Sequence, residues 1–323
     1  MAIRRFRLKF EGFAFTPKLE YKIELALSNQ DIGPSMRPTG NAANIVLDAV
    51  LKYKVSGNGE FWFGQAKLPG NRERVISSQD LQFVDRSLVN SLYNLDRDLG
   101  IQFHRKTKIG KVVLKDMYAL ALGQGRNVTV ADTGGFSYTG RIEILPFGEF
   151  TNKGDYFDTD FEREPTPKLS VGGGYSYNNN AQRENGELGF FLNETRNLKT
   201  FFADAMLKYK GWSITSEYMN KQSDKSPLLK DSSGYFQTGN GWNIQSGYLL
   251  KNKFEFSGRY TIVNPSTEIK TAGRDETVKE YTLCMSKYLK GHNLKIQTDF
   301  SYVKDYEKTK GSLRYRLQVE MGF

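Results

Sequence analysis

The residues with most chemistry to offer are basic ones set at alternate positions. Arg5, Arg7 and Lys9 interleave with Phe6, Leu8 and Phe10, Lys52 and Lys54 with Leu51 and Tyr53, and Arg314 and Arg316 with Leu313, Tyr315 and Leu317. Lys22, Lys115, Arg141, Lys208, Arg259 and Lys295 keep the same phase in their own stretches. A guanidinium does not lose its proton near neutral pH, so a wall that gathers several of them attracts anions. Glu11, Glu20, Glu24, Asp48, Glu143, Asp204, Glu217, Glu255, Asp299 and Glu320 fall on the same faces, so the pattern equally describes a wall of paired, solvated charges. Their near balance points to a mild anion preference rather than a tight phosphate filter.

Catalysis has little to work with. A nucleophile needs a base beside it, and the chain has two histidines. His292 falls in a tight turn and His104 near the end of an alternating stretch, neither with an obvious Ser or Asp partner, so the chain reads as a non-enzyme. Gly172-Gly-Gly174 superficially resembles a phosphate cradle, but Leu169, Val171, Tyr175 and Tyr177 hold a period of two through it, so close packing or a bend explains the glycines better. No cluster of His, Cys or carboxylates has metal-ligand spacing, and no cofactor is expected. Cys284 is the sole cysteine and sits between Leu283 and Met285, a packing position. Asn127-Val-Thr129 and Asn193-Glu-Thr195 are formal sequons only.

Positioning these side chains requires strands. The last eleven residues, Leu313 to Phe323, alternate without a break, one face apolar and the other charged. Similar stretches cover Arg5–Ala14, Leu19–Leu27, Leu47–Val55, Glu60–Lys67, Leu99–Thr107, Lys111–Gly123, Phe136–Leu145, Lys168–Tyr177, Leu198–Tyr209, Trp212–Met219, Trp242–Leu250, Phe254–Val263, Glu280–Leu289 and Leu294–Tyr302. Tight turns, among them Thr16-Pro-Lys18, alternate with long polar loops at Asn29–Asn44, Gly70–Asp98, Gly125–Gly135, Asn178–Asn197, Lys221–Gly241 and Asn264–Asp275. Bacterial outer-membrane barrels have short periplasmic turns and long outer loops, and parity makes Phe147–Pro167 the exception, a long periplasmic connection. About fifteen strands are visible. Such barrels use even numbers, so one strand preceding Arg5 is expected, either because the native chain starts earlier or because the barrel lacks a stave.

The composition agrees. Mean hydropathy is −0.56 and no run of about 20 apolar residues exists, which excludes helical spans but not a barrel whose alternate residues face lipid. Eighteen Tyr, 22 Phe and 3 Trp suit aromatic girdles: Tyr53, Tyr209 and Trp212 on the periplasmic side, Tyr177, Tyr218, Trp242, Tyr260 and Tyr302 on the outer side. The net charge of +10 is scattered over strands rather than gathered on one helix, which argues against nucleic acid. The start lacks a secretory signal core, so the chain as given is read as mature, trimmed or recombinant.

Gly64-Gln-Ala-Lys-Leu-Pro69, followed by Val75-Ile-Ser-Ser-Gln-Asp-Leu-Gln-Phe-Val-Asp-Arg-Ser-Leu88, resembles the strand end and loop of the phosphate-selective porin O and P family. Arg4-Arg-Phe-Arg-Leu-Lys-Phe-Glu-Gly12 is similar to its arginine-rich early strand, and Gly140-Arg-Ile-Glu-Ile-Leu-Pro-Phe147 to its Gly-Arg strand. The resemblance implies a transmembrane, antiparallel, up-and-down β-barrel of about 16 strands in the bacterial outer membrane, often a homotrimer, set in lipid and lipopolysaccharide. It also implies an inward-folded loop near residues 70–98, so that residues 1–323 form one barrel domain narrowed from within. Lys67 and Arg86 match the family pattern and are the expected constriction residues; Arg72 and Arg74 join them by proximity alone. Gly70 stands where the family has an aromatic.

The expected function is passive diffusion of small hydrophilic or anionic solutes. A scaffold barrel with an occluded lumen is the alternative. Because a barrel brings its ends together, Arg5 and Arg7 should approach Arg314 and Arg316.

Overall fold

Alternation becomes strands in the computed structural model, which describes residues 2–32, 44–55, 57–128, 134–305 and 311–322. They are β1 Arg7–Ala14, β2 Thr16–Ala26, β3 Val46–Lys54, β4 Gly59–Lys67, β5 Arg97–Ile109, β6 Val112–Ala121, β7 Ser137–Leu145, β8 Lys168–Arg183, β9 Phe191–Tyr209, β10 Trp212–Ser223, β11 Gly239–Leu249, β12 Phe254–Pro265, β13 Val278–Lys290, β14 Leu294–Asp305 and β15 Ser312–Met321. Each pairs antiparallel with the next, giving one all-β, up-and-down sheet of fifteen strands. Short helices α1 Asn29–Ile32, α2 Arg72–Val75, α3 Leu88–Tyr93 and α4 Thr267–Thr271 lie in the loops. No helix among the described residues is long and apolar enough to cross a membrane.

The sheet curls round into a barrel-shaped wall whose interior is partly filled by its loops. Side chains of the β4–β5 loop reach Asp204 on β9, Ser213 on β10, Glu255 on β12 and Asn293 beyond β13, which a flat sheet could not bring together. Outward positions stay apolar and bare, as lipid-facing staves require: Phe6, Leu51, Trp212, Ile214, Phe256 and Tyr315 are exposed, and Tyr21 and Phe254 half-buried. Phe323 lies outside the described residues.

Fifteen is an odd number, so β1 and β15 run in the same direction, and among the described residues they do not hydrogen-bond each other. The outward side chains of β15 are correspondingly barer than those of interior strands, Leu317 being 64% exposed against 43% for Ile244. The sixteenth strand implied by the family resemblance is not among the described residues.

Two local expectations need correction. Thr16-Pro17-Lys18 belongs to β2, and the turn is made by Phe15 in the left-handed region at φ 63°. The stretch 178–197 is mostly strand, because β8 and β9 continue past the membrane as a polar hairpin, where no lipid enforces apolar alternation.

Candidate functional site

The β4–β5 connection, residues 68–96, turns into the barrel. Its two ends meet at Gly70, where an added Cβ would lie 2.9 Å from that of Leu95. α3 is capped by Ser87, whose Oγ accepts from the Asn90 amide, and the Glu73 carboxylate accepts from the Ser87 amide (2.7 Å) and hydroxyl (2.5 Å). Val89 and Tyr93 of α3 pack on Phe202, Met219 and Val263, lumen-facing residues of β9, β10 and β12. With Met206 of β9, on which Ile76 and Leu81 of the loop pack, those three interrupt the polar inner face and form the wall's receptor for the loop. Close approach needs a bare backbone opposite: a Cβ on Gly241 would lie 2.7 Å from Val89.

Buried ion pairs finish the docking. Arg72 donates to Asp204 (2.6 Å) and Ser170 (2.8 Å), and Arg141 pairs with Asp204 (2.7 Å) and Glu143 (2.8 Å). Gly172 makes room for this cluster, since its Cβ would lie 2.6 Å from an Arg141 nitrogen. Gln82 donates to Glu255 (2.6 Å), and Lys295 reaches the carbonyls of Gln79 and Leu81. Arg259 donates to the Asp85 carbonyl (2.8 Å) and to Glu280 (3.1 Å), with its guanidinium over Phe83. From the periplasmic end, the 146–167 connection also enters: Lys208 donates to the carbonyls of Gly154, Phe157 and Thr159. Together the two segments pack the half of the lumen that faces β8–β13.

The other half is open. A cavity of about 2260 Å³ runs along β1–β7 and β15, from the periplasmic turns up to Ala2–Arg7. Fourteen basic and ten acidic side chains among the described residues line it, so its wall carries four positive charges in excess. Of the basic residues expected to line a pore, Arg5, Arg7, Lys9, Lys67, Arg141 and Arg316 do so. Arg72, Arg74, Arg86, Arg259 and Arg314 do not. Arg72 and Arg259 are locked into the buried pairs above, Arg74 is salt-bridged to Asp96, and Arg314 stands exposed on β15.

Lys67 and Arg86 come together at one acceptor. Lys67 Nζ donates to the carbonyls of Val75 (3.2 Å) and Ile76 (3.3 Å), and Arg86 to those of Glu73 (2.8 Å) and Ile76 (2.8 Å). Among the described residues neither has a carboxylate within salt-bridge distance. Burial pulls Arg86 down to about 10, Arg5 and Arg7 push the same way, and it stays charged at neutral pH. Nearby in the loop, burial lifts the Asp80 carboxyl to about 6.

The expected convergence of four guanidiniums is met in part and by an unforeseen residue. Asp85, at the loop's tip, accepts from Arg5 (3.0 Å), Arg4 (2.7 Å) and Arg316 (2.8 Å), tying the first and last strands to the loop. Arg7 turns instead to Asp31 (2.6 Å) and Glu24 (3.2 Å). Sequence reasoning also missed Arg97, which holds Asp48 at 2.6 Å, and the stack of Lys52 over Trp62 over His104 on the lumen wall. The stack could have been found from the strand phase, since His104 and Trp62 fall on polar-facing positions, whereas Arg97 lies in the stretch expected as loop and belongs in fact to β5.

A barrel with an inward loop, bracketed by basic side chains, matches the phosphate-selective porin O and P family model over residues 1–320. The chain belongs to that family. Membership makes it an outer-membrane channel protein. Among solved structures, a porin refined at 1.8 Å resolution aligns with a TM-score of 0.53 at 11% identity, over 98% of this chain and 91% of that one. The outer membrane channel DcaP of Acinetobacter baumannii aligns with a TM-score of 0.52 at 13% identity, over 98% and 82%. At such identities the likeness is one of fold. No curated protein matched in a search by sequence.

Proposed function

We propose that this porin passes small hydrophilic solutes along the β1–β6 side of its lumen with a mild preference for anions, phosphate among them. The observation carrying this reading is the Lys67–Arg86 pair, two basic side chains that share the Ile76 carbonyl, have no carboxylate partner among the described residues and stand beside a cavity whose wall is positive in excess. Neutral backbone acceptors orient both side chains and leave the field of the Arg86 guanidinium uncancelled, as an anion path requires. Arg5, Arg7, Lys9, Arg141 and Arg316 add to the field, each reduced by its own acid. Arg72, Arg74 and Arg259 act by fixing the loop. The assembly is read as a homotrimer in lipid and lipopolysaccharide, as family resemblance implies. Replacing Lys67 and Arg86 by Glu should move the reversal potential under a KCl gradient toward cations; an unmoved potential rejects this choice of residues.

One observation favours a second reading, that of a scaffold barrel with an occluded lumen: the half facing β8–β13 is packed solid by two segments entering from opposite ends. Absence of current across planar bilayers at all salt concentrations would decide for it.

A further inference from the structure

One side chain on the short-turn face, the periplasmic side of a bacterial barrel, is buried with nothing to bond. His292, in the β13–β14 turn, has a side chain 8% exposed, and among the described residues neither ring nitrogen has a hydrogen-bond partner. Its acid neighbour Asp80 stands 3.9 Å away, and burial, reinforced by Lys295 and Lys208, holds its pKa well below the ordinary value. A neutral imidazole carries one N–H and one bare nitrogen, so this ring offers a donor and an acceptor together. It packs on Phe161 and Phe157 of the 146–167 connection, with ring centroids 4.7 and 5.3 Å away. These three rings wall a cavity of about 250 Å³, which opens to solvent past Thr151, Asn152, Glu162 and Gly291, all exposed.

Three turns of the sheet meet at this cavity, and each brings lysine. Lys290 precedes Gly291 and His292, Lys253 of the β11–β12 turn has its Nζ 5.5 Å from the Phe161 ring centroid, and Lys210 of the β9–β10 turn donates its amide to the Glu164 carbonyl (2.9 Å). With Lys251 they make four exposed lysines, and among the described residues none has a carboxylate within salt-bridge distance. Asp160 and Glu164 of the cavity wall are buried and accept from backbone amides, and the one exposed carboxylate lining it, Glu162, accepts from Asn152 (2.9 Å). Neither turn chemistry nor conduction accounts for the lysines. Lys210 and Lys253 adopt φ of 49° and 68°, a left-handed region that tight turns ordinarily fill with Gly, Asn or Asp. All four stand at the β9–β14 turns, under the half of the lumen that is packed solid, so no conducted ion passes them. The cavity does not face lipid either: Phe161 meets edge-on the ring of Tyr288, which is buried on the lumen side, so the opening lies within the ring of strands.

An apolar pocket ringed by uncompensated charge has the anatomy of a docking site, in which a buried anchor carries most of the affinity and the charged rim steers and selects. The cavity is smaller than the roughly 300–1,000 Å³ that holds a whole small molecule, and suits one large side chain. A tyrosine ring matches its aromatic walls, and a tyrosine hydroxyl, both donor and acceptor, meets either nitrogen of His292. The four lysines call for carboxylates on both sides of that anchor. We propose that this face of the barrel docks an acidic peptide segment of a soluble periplasmic partner, with one tyrosine seated against His292. Docking there does not depend on conduction through the open half.

The test is fluorescence anisotropy of a labelled peptide, a single tyrosine flanked on both sides by glutamates, titrated with the full chain in a neutral detergent. The unmodified chain should bind it. Loss of a buried anchor costs about thirtyfold in affinity, so the same peptide with glycine in place of tyrosine should bind about thirtyfold more weakly. An exposed ion pair is worth about two- to threefold, so Lys253→Gln with Lys290→Gln should weaken binding about fivefold. Lys18→Gln with Lys108→Gln, which removes exposed lysines from turns under the open half, should change it less than about twofold. Absence of binding to the unmodified chain, or equal binding of the glycine peptide, overturns the proposal. An equal loss in the two double variants also overturns it, reducing the contact to unspecific attraction by the whole basic face. So does displacement of the tyrosine peptide by phosphatidylglycerol added to the detergent, which assigns the lysines to lipid headgroups.

Discussion

Asp85→Asn is the sharpest perturbation of the lumen charge, because one carboxylate there restrains three guanidiniums from two distant parts of the chain. Arg4, Arg5 and Arg316 all line the cavity and all bond Asp85, at 2.7, 3.0 and 2.8 Å. Asparagine keeps an acceptor but removes the charge. A unit charge about 7 Å from an ion in water-like surroundings is worth about 0.6 kcal/mol, roughly halved by screening at 0.1 M salt. Chloride gains that amount and potassium loses it, so the chloride-to-potassium permeability ratio should rise about threefold. Arg316 keeps Asp299 at 2.7 Å, so the last strand stays anchored, and the loss of charge-assisted bonds at these partly exposed groups should cost about 1–2 kcal/mol of stability. Reversal potential under a KCl gradient reads the first effect, and the urea midpoint of barrel unfolding reads the second. A folded variant whose ratio is unchanged or falls refutes the reasoning, because the three arginines would then not face the conducting path.

Asp80 lines the cavity with its carboxyl raised by burial to about 6, so it is charged at pH 7 and neutral at pH 5. Lowering the pH across that window removes a negative charge, and anion preference should increase; Asp80→Asn should abolish the increase between pH 7 and 5, which reversal potentials measure. Gly172→Ala pushes a Cβ to 2.6 Å from the Arg141 guanidinium and 3.0 Å from Asp204, and disturbing this buried pair should cost about 2–4 kcal/mol. Gly173→Ala, whose Cβ meets its nearest atom at 3.4 Å, should cost less than about 1 kcal/mol by the same unfolding assay. Equal losses at the two glycines would show that the triple-glycine run serves bending rather than room for Arg141.

The wall of the barrel was legible because lipid outside and water or charge inside impose a period of two on every stave. That rule located all fifteen strands and failed only where the environment changes, at the polar β8–β9 hairpin beyond the membrane and at Phe15, a non-glycine residue in a glycine-like turn. The loop was not legible in the same way. Arg72 meets Asp204 across 132 residues of sequence, and Gln82 meets Glu255 across 173, contacts that no local pattern encodes. Lys67 and Arg86 were reached through family resemblance, and strand phase alone would have left Arg86 unnoticed. Phe202, Met206, Met219 and Val263 were the available signal for where the loop docks, being apolar residues on a largely polar inner face. Asp85 gave no signal, since a single acid in an aperiodic loop does not reveal that both ends of the sheet will reach it.

The account rests on a water path along β1–β6 bordered by an excess of positive charge. Single-channel recording of the purified chain in a planar bilayer under a KCl gradient measures both at once. Discrete current steps whose reversal potential lies toward that of chloride are predicted. Silence at every salt concentration, or a reversal potential toward that of potassium, contradicts the account.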